Sequence, residues 1–521
     1  MFRYILRFYN TIRYLKFIQF FFQIYYRIDY TKNSSNIIPH KLFNKVVFKY
    51  FEYNPKSYFG KNKFSFLNIE HDFKSNIDWN LLQYGKLWNY NLNYLDFLNQ
   101  KQISFLECNS ILNNYILTYN KNKFGKDPYP TSLRIINVIK FVSKNNIYKK
   151  NFIDLIYTDT YNLKKKIEYH LLANHILENF IALCFSAIFF NDRKLFNKSK
   201  NSLRVQLNEQ ILNDGCHFEL SPMYHSIIIN RLLDLLSLMD STHDLYDVNF
   251  YDFVKRKLSK MLGWLITISF NNKSLPLVND SVENISISLE NINRYSNILN
   301  ISPTIVELRD CGYRMIKKNN FELFVDVGEI GPDYQPGHAH ADTFNFILHF
   351  NNKPVFVDTS VSTYEIGVLR SYQRSTRAHN TVTLKDLNSS DIWSAFRVGK
   401  RAKIISLNEE ASSIEASHNG YRSLGAIHNR KWEWCDDFIK IYDTIKCGEY
   451  YAKAHFNLAK NINVIKFENH IILNDSFKLT FEGYSKIDII ESYSAESFNS
   501  LYKSKQIVVK FKDELISTIF Y

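Results

Sequence analysis

Cysteine is scarce. Cys108, Cys184, Cys216, Cys311, Cys435 and Cys447 are scattered singly through 521 residues, and none forms a C-x-x-C pair. A chain this long with so few cysteines does not depend on disulfides, and Cys184, inside the apolar run FIALCFSAIFF, reads as plain core. Glycine (15) and proline (10) are also few, which excludes collagen-like and low-complexity architectures. No apolar run is long enough to span a bilayer, because Asn, Lys or Asp interrupts every long one. Phe17–Tyr26 is short and carries Gln19 and Gln23. A secretory signal with a clean apolar centre and a small-residue cleavage site is not evident. No dense Lys/Arg run with interleaved aromatics marks a nucleic-acid face, so no nucleic-acid partner is expected.

What is present is material for packed cores: 45% of the residues are apolar and 16% aromatic. The length suggests two to four domains. The formal charge of +14 has two readings. One is a polyanionic partner, such as an acidic lipid surface or an acidic polysaccharide. The other is compositional bias, since Lys, Asn, Ile, Tyr and Phe are all inflated as an AT-rich coding sequence would make them. The N-terminus mixes Arg3, Arg7, Arg13, Lys16 and Arg27 with aromatics. It predicts a basic amphipathic helix, either making peripheral contact with a membrane or packed on its own domain.

The hydrophobic period changes once along the chain. From about residue 77 to 300, stretches such as WNLLQYGKLWNYNLNYLDFL, YPTSLRIINVIKFVSK, HLLANHILENFIALCFSAIFF and YHSIIINRLLDLLSLM space apolar residues by three and four. Short polar breaks between them predict stacked helical hairpins, as a solenoid or a closed toroid. From about residue 308 the runs shorten and become β-branched (FELFVDVG, FNFILHF, KPVFVDTS, FKLTF, KIDIIES, IVVKFK), with turn-like pairs such as NN, NG and EG between them. These predict an antiparallel β-sandwich. The expected organisation is therefore a basic, aromatic N-terminal extension over 1–75, a helical domain over 76–305 and a β-sandwich over 306–521.

Several polar clusters stand out against this background. GPDYQPGHAHAD (331–342) carries His338, His340 and Asp342 two apart, and an extended strand over 338–348 would turn all three to one face. Two histidines so placed suit a metal, whereas a hydrogen-bonded strand end is the plain structural reading. The metallo-β-lactamase pattern requires a histidine where Thr343 stands, and the amidohydrolase pattern requires a downstream βα barrel. Asp358 ends the run PVFVD and His379 enters NTVTL. With His340 they would make a three-ligand N/O set with one open position, the composition of a zinc site. In the helical half, LLANHILENF sets Asn174 and Glu178 one turn apart, with His175 and Asn179 as a second stripe. In NDGCHFELSPMYHS, Ser221 and Pro222 form a helix start that puts Tyr224 in the first turn.

Taken together, DPYPTSLRIIN (127–137), ANHILEN (173–179), ILNDGCHFELSPMYH (211–225), GPDYQPGHAHADTFNF (331–346), PVFVDTSVSTYE (354–365) and YQRSTRAHNTV (372–382) resemble the heparinase II/III family of polysaccharide lyases and its alginate-lyase-like relatives. The resemblance implies an (α/α) toroid followed by an antiparallel β-sandwich, and β-elimination on a uronic-acid polysaccharide. It implies that Tyr224 acts as general acid and in some members also as base, and that His338 is its partner base. Asn174 and His175 would neutralise the substrate carboxylate, with Glu178 nearby. His340, Asp358 and His379 match the family's ligands to a zinc ion of structural role, which leaves Asp342 in a supporting role. Arg134 and Arg374 are added as binders of a sugar carboxylate or sulfate by bidentate contact. Family members of this kind work at the cell envelope or periplasm; without an export signal, a cytoplasmic location follows instead. Two other functions fit the same residues: a catalytically silent glycan-binding protein of surface-polysaccharide biosynthesis, and a zinc-dependent hydrolase.

Overall fold

The structure is a computed structural model that describes residues 2–28, 36–40, 42–240, 244–446 and 448–521. Cys447 and the side chain of Arg3 lie outside the described residues. The other five cysteines are free.

Two short N-terminal helices, α1 (Phe2–Ile12) and α2 (Phe17–Ile28), precede an extended segment and a small hairpin of strands Lys63–Phe66 and Ile69–Asp72. The helical half follows: α3 (Gly85–Tyr94), α4 (Phe105–Thr118), α5 (Pro128–Lys144), α6 (Lys150–Lys165), α7 (Ala173–Phe189), α8 (Arg193–Gln210), α9 (Pro222–Met239), α10 (Val248–Ile268) and α11 (Leu289–Ile298). Helices α5, α7 and α9 are buried along nearly their whole length and pack on one another, whereas α8 and α10 bury one face only. This follows from sequence. Helices that are apolar all round belong inside, and those with one apolar stripe cover them. The result is the expected (α/α) toroid of inner and outer helices. Val46, Phe64 and Phe66, from the segment expected as an extension, are part of this core.

From Tyr313 onward the chain is mainly antiparallel β, with one short α-helix, Val368–Gln373, among its loops. Strands Tyr313–Lys317, Phe321–Asp326, Phe346–Phe350 and Lys353–Phe356 form a four-stranded sheet that faces a ten-stranded one. The strand FELFVD shows how the halves join. Phe321, Leu323 and Val325 enter the sandwich core, while Phe324, together with Tyr313 and Ile347, enters the helical core. Side chains alternate across a strand, so this sheet is buried on both faces.

Two expectations are corrected. FKLTF and KIDIIES, read as two strands broken at EG, are one strand, Phe477–Ser497, paired with Ser500–Phe520. Gly483 adopts φ +82° at a bulge rather than a turn, and a Cβ there would lie 2.5 Å from the Glu514 carbonyl oxygen. The second concerns GHAHAD, which is not strand. Residues 331–345 form a loop, and the strand begins only at Phe346.

Burial sets an acid limit on stability. His225, His349 and His455 are enclosed, and desolvation pushes each imidazole down to about 4. Their unfolded pKa is about 6.5, so the unfolded chain binds the extra protons as pH falls from 6.5 towards 4. Stability from these groups is complete above 6.5, and each forfeits about 2 kcal/mol by roughly pH 5. His175 and His379, raised by carboxylate partners, offset part of this. The midpoint of thermal unfolding is expected to be lower at about pH 5 than at neutral pH, and His455→Gln should flatten that slope. An unchanged midpoint in the wild-type protein would contradict the assignment.

Candidate active site

The loop that carries His338 and His340 and the short helix that carries Arg370 meet around one buried carboxylate, Asp280, in the loop between α10 and α11. Its Oδ2 accepts a hydrogen bond from His338 Nδ1 (2.9 Å) and its Oδ1 accepts one from His340 Nε2 (2.9 Å). Arg370 grips both oxygens, at 2.5 and 2.8 Å. Burial alone would raise the Asp280 pKa, but Arg370 and the two imidazoles hold it well below the usual carboxylate range. A charged acceptor on Nδ1 fixes the His338 tautomer, so the Nε2 lone pair points away from Asp280. The Asn174 amide nitrogen stands 3.5 Å from that Nε2.

Tyr224 lies in the first turn of α9, as read from the sequence. Ser221 Oγ accepts from Tyr224 N at 3.3 Å, and Pro222 is the first helical residue. The tyrosine ring stacks on His338, with centroids 4.0 Å apart at 28°. Its hydroxyl is 3.3 Å from that of Tyr364. Desolvation, reinforced by Tyr364, raises the Tyr224 pKa well above its ordinary value, so the phenol is a proton donor at rest. Phe396, partly exposed, stands edge-on to His338 with centroids 6.1 Å apart.

The start of α7 brings Asn174 and His175. Asn174 donates to both oxygens of Glu219, at 2.8 and 3.1 Å. His175 Nδ1 donates to Glu168 (3.1 Å), whose other oxygen accepts from Asn179, so the stripe expected on α7 is tied by one acid. Burial alone would lower the His175 pKa, but Glu168 outweighs it and raises it. Three of these segments carry backbone in the left-handed region just before their functional residues: Leu172 and Ala173, Leu220, and Asn279. Each costs about 1–3 kcal/mol and persists only where the surroundings hold it. Here the Leu220 carbonyl accepts from Tyr313 Oη (2.7 Å) and Asn279 Nδ2 (3.0 Å), and the Ala173 carbonyl accepts from Gln210 (3.1 Å).

Thus Asn174, His175, Tyr224 and His338 come together. Glu178 is enclosed beneath them, with Arg231 Nε at 3.4 Å. Arg134 and Arg374, expected as binders of a sugar anion, are both buried with their guanidiniums taken up by protein groups. Arg134 is fully buried in α5 and forms a bidentate pair with Asp159 at 2.8 and 2.9 Å. Arg374 is buried on the carbonyls of Ala339, Ser394 and Arg397. An arginine in a helix buried on every side needs an internal counter-charge, and Asp159 supplies it.

His340, Asp358 and His379 share one buried layer, but they do not form a ready cage. Among the described residues no group of three or more His, Cys, Asp or Glu is arranged to hold a metal ion. Asp358 Oδ2 accepts from His379 Nδ1 (2.7 Å) and Asn345 (2.6 Å), and its Oδ1 accepts from Ser360 N (2.8 Å). His340 Nδ1, His379 Nε2 and Asp342 Oδ2 are buried without a hydrogen-bond partner, and the two imidazole rings are 5.3 Å apart. Buried polar atoms are rarely left so. Two imidazole nitrogens and a carboxylate oxygen are a donor set that zinc accepts, so the residues fit a metal, with Asp342 a stronger candidate than its supporting role implied.

Asp280, Glu168, Tyr364 and Arg370 were missed as site residues. Glu219 lies in the same stretch, NDGCHFELSPMYHS, as Tyr224. Asp280 gave no signal, because its partners lie 58, 60 and 90 residues away.

A helical toroid is joined to an antiparallel sandwich, with a tyrosine, a histidine and an asparagine gathered between them. Two family models match, "Heparinase II/III N-terminus" over residues 138–307 and "Heparinase II/III-like, C-terminal" over 300–519. The chain belongs to the heparinase II/III family. It is 25% identical over 248 residues to a heparin-sulfate lyase from Bacteroides stercoris; the match covers 42% of this chain and only 37% of that relative. A crystal structure of heparinase III superposes with a TM-score of 0.64 at 15% identity, covering 86% of this chain and 80% of that one. A heparan sulfate lyase from Pedobacter heparinus gives 0.57 at 15%, covering 88% and 81%. At these identities the structural likeness is one of fold.

Proposed function

We propose that this protein cleaves a uronic-acid-containing acidic polysaccharide by β-elimination. The observation that carries the reading is the Tyr224–His338 stack, with a neutral phenol on one side and an imidazole whose Nδ1 is held by Asp280 on the other. In the reaction His338 Nε2 takes the C5 proton. The electron pair forms the C4–C5 double bond, the C4–O bond breaks, and the Tyr224 hydroxyl protonates the departing oxygen. Proton exchange between the resulting imidazolium and phenolate, through solvent, restores the site. His175, raised towards its cationic form, and the Asn174 amide would neutralise the substrate carboxylate and so stabilise the enolate-like state. A tyrosine acting alone as acid and base is the variant of this reading that its burial disfavours.

The test is a panel of uronate glycans followed by product mass. Elimination gives fragments that together weigh one water less than hydrolysis products and absorb in the near ultraviolet. Fragments that have gained water would establish a hydrolase, and binding without product would establish a silent glycan-binding protein.

His340, His379 and the Asp342 and Asp358 carboxylates are proposed to hold a zinc ion of structural role, tying the catalytic loop to the strands behind it. Removing metal with a chelator is then expected to lower the thermal midpoint, and adding zinc back should restore it. An unchanged midpoint in protein whose zinc content has been shown to fall would refute this.

A further inference from the structure

The N-terminal helices α1 and α2 lie outside the residues matched by the family models, and they sit on the molecule inside out. Among their residues whose burial is described, Gln19 is the one that is buried. It donates to the carbonyls of Leu171 and Tyr334, both at 3.3 Å. Most other inward contacts are polar too: Arg7 with Asp391 at 2.7 and 2.9 Å, Lys16 with Glu209, Thr11 with Trp393, and Tyr26 with the Ile167 carbonyl, while the Phe22 and Tyr26 rings also pack on Tyr169 and His170. The apolar side faces out. Phe17 is 81% exposed, Ile28 78% and Tyr4 74%. The outer side of α2 forms an open depression of about 340 Å³ lined by Phe17, Phe20, Phe21, Ile24, Tyr25 and Ile28.

A soluble fold turns the apolar stripe of a surface helix inward, and exposed patches of this extent mark an interaction surface. Charge selects the occupant. Residues 1–28 hold five Arg/Lys and no acidic residue. Arg7 and Lys16 are engaged by Asp391 and Glu209, while Arg13 and Arg27 remain exposed beside the aromatic face. In a twofold dimer this patch would meet itself, with no carboxylate of the two helices to answer those arginines. At 11 and 12 residues the helices are too short to cross a bilayer, and among the described residues no helix is long and apolar enough to do so. Aromatic rings flanked by arginine are the composition of helices lying in the plane of an anionic lipid interface.

We infer that the N-terminal helices α1 and α2 dock this protein onto an anionic membrane surface. Its inward ties reach the loops that carry the site. Leu171 precedes Asn174 and His175, Tyr334 precedes His338, and Asp391 and Trp393 precede Phe396. Docking would therefore hold the cleft beside the lipid, where surface glycans are anchored.

The experiment is flotation of the full chain with vesicles of equal parts phosphatidylcholine and phosphatidylglycerol, against phosphatidylcholine alone. The protein should float with the mixed vesicles and be released by salt. Arg13→Gln and Arg27→Gln should each lower retention about fivefold, and Phe17→Asp with Phe20→Asp should abolish it while the circular dichroism spectrum is unchanged. These residues are outside the catalytic cluster, so failure of the lyase reading leaves this test intact. Absence of flotation, equal binding to both vesicles, or a concentration-dependent dimer lost with Phe17→Asp in a protein that ignores vesicles would each overturn the inference.

Discussion

Replacing Tyr224 with phenylalanine is expected to lower the rate of glycan cleavage roughly 10²–10⁴-fold, the range over which a positioned proton donor acts. The substitution removes one oxygen. That oxygen's recorded partner is the Tyr364 hydroxyl at 3.3 Å, a long contact. The helix start does not depend on it, because Ser221 caps through the Tyr224 backbone N–H. Stability should therefore change by no more than about 1 kcal/mol, and the stacked ring should keep its place on His338. The loss belongs in kcat, with KM little altered, since the hydroxyl acts on the leaving oxygen in the transition state. The check is the initial rate of unsaturated product beside a thermal melt. A variant that keeps more than about a tenth of the wild-type rate would remove Tyr224 from the proton-donor role.

How far the sequence foretold the site depended on whether a residue's neighbours in space were also its neighbours in the chain. The helix start at Ser221-Pro222 is local, so Tyr224 could be placed in the first turn of α9 before any coordinates. The two stripes on α7 are local as well. The fold was legible for the same reason, since a change of period from helical to alternating is written residue by residue. The long strand Phe477–Ser497 was not, because a glycine bulge and a glycine turn look alike until the partner strand is seen. Asp280 shows the same limit at the site. It sits in an irregular loop and becomes meaningful only when His338 and His340 from one distant segment and Arg370 from another converge on it. Arg134 shows the reverse error. Its charge suggested a ligand contact, but Leu133, Ile135 and Ile136 flank it in a buried helix, and a charge there needs a buried partner, which Asp159 supplies.

Asp280 is accordingly the positioning residue on which the site most depends, and Asp280→Asn should be more damaging than its size suggests. The amide keeps the shape but loses the charge and turns one acceptor into a donor. If the amide nitrogen faces His338, the imidazole must accept at Nδ1 and carry its proton on Nε2, which removes the base. If it faces the other way, it opposes the N–H groups of His340 and Arg370. Either arrangement leaves the buried Arg370 guanidinium without its counter-charge, a loss of about 3–5 kcal/mol. The expected result is a thermal midpoint several degrees lower and, in protein still folded at the assay temperature, a fall in kcat of about 10²–10⁴-fold. A purely structural role would lower the midpoint and leave kcat per folded molecule intact. Histidine-labelled nitrogen NMR separates the two, because the wild-type His338 should be the Nδ1–H tautomer, whereas a variant whose amide nitrogen faces His338 should carry that proton on Nε2. An Asp280→Asn protein that is destabilised yet retains both that tautomer and its kcat would show that the carboxylate holds the fold and not the base.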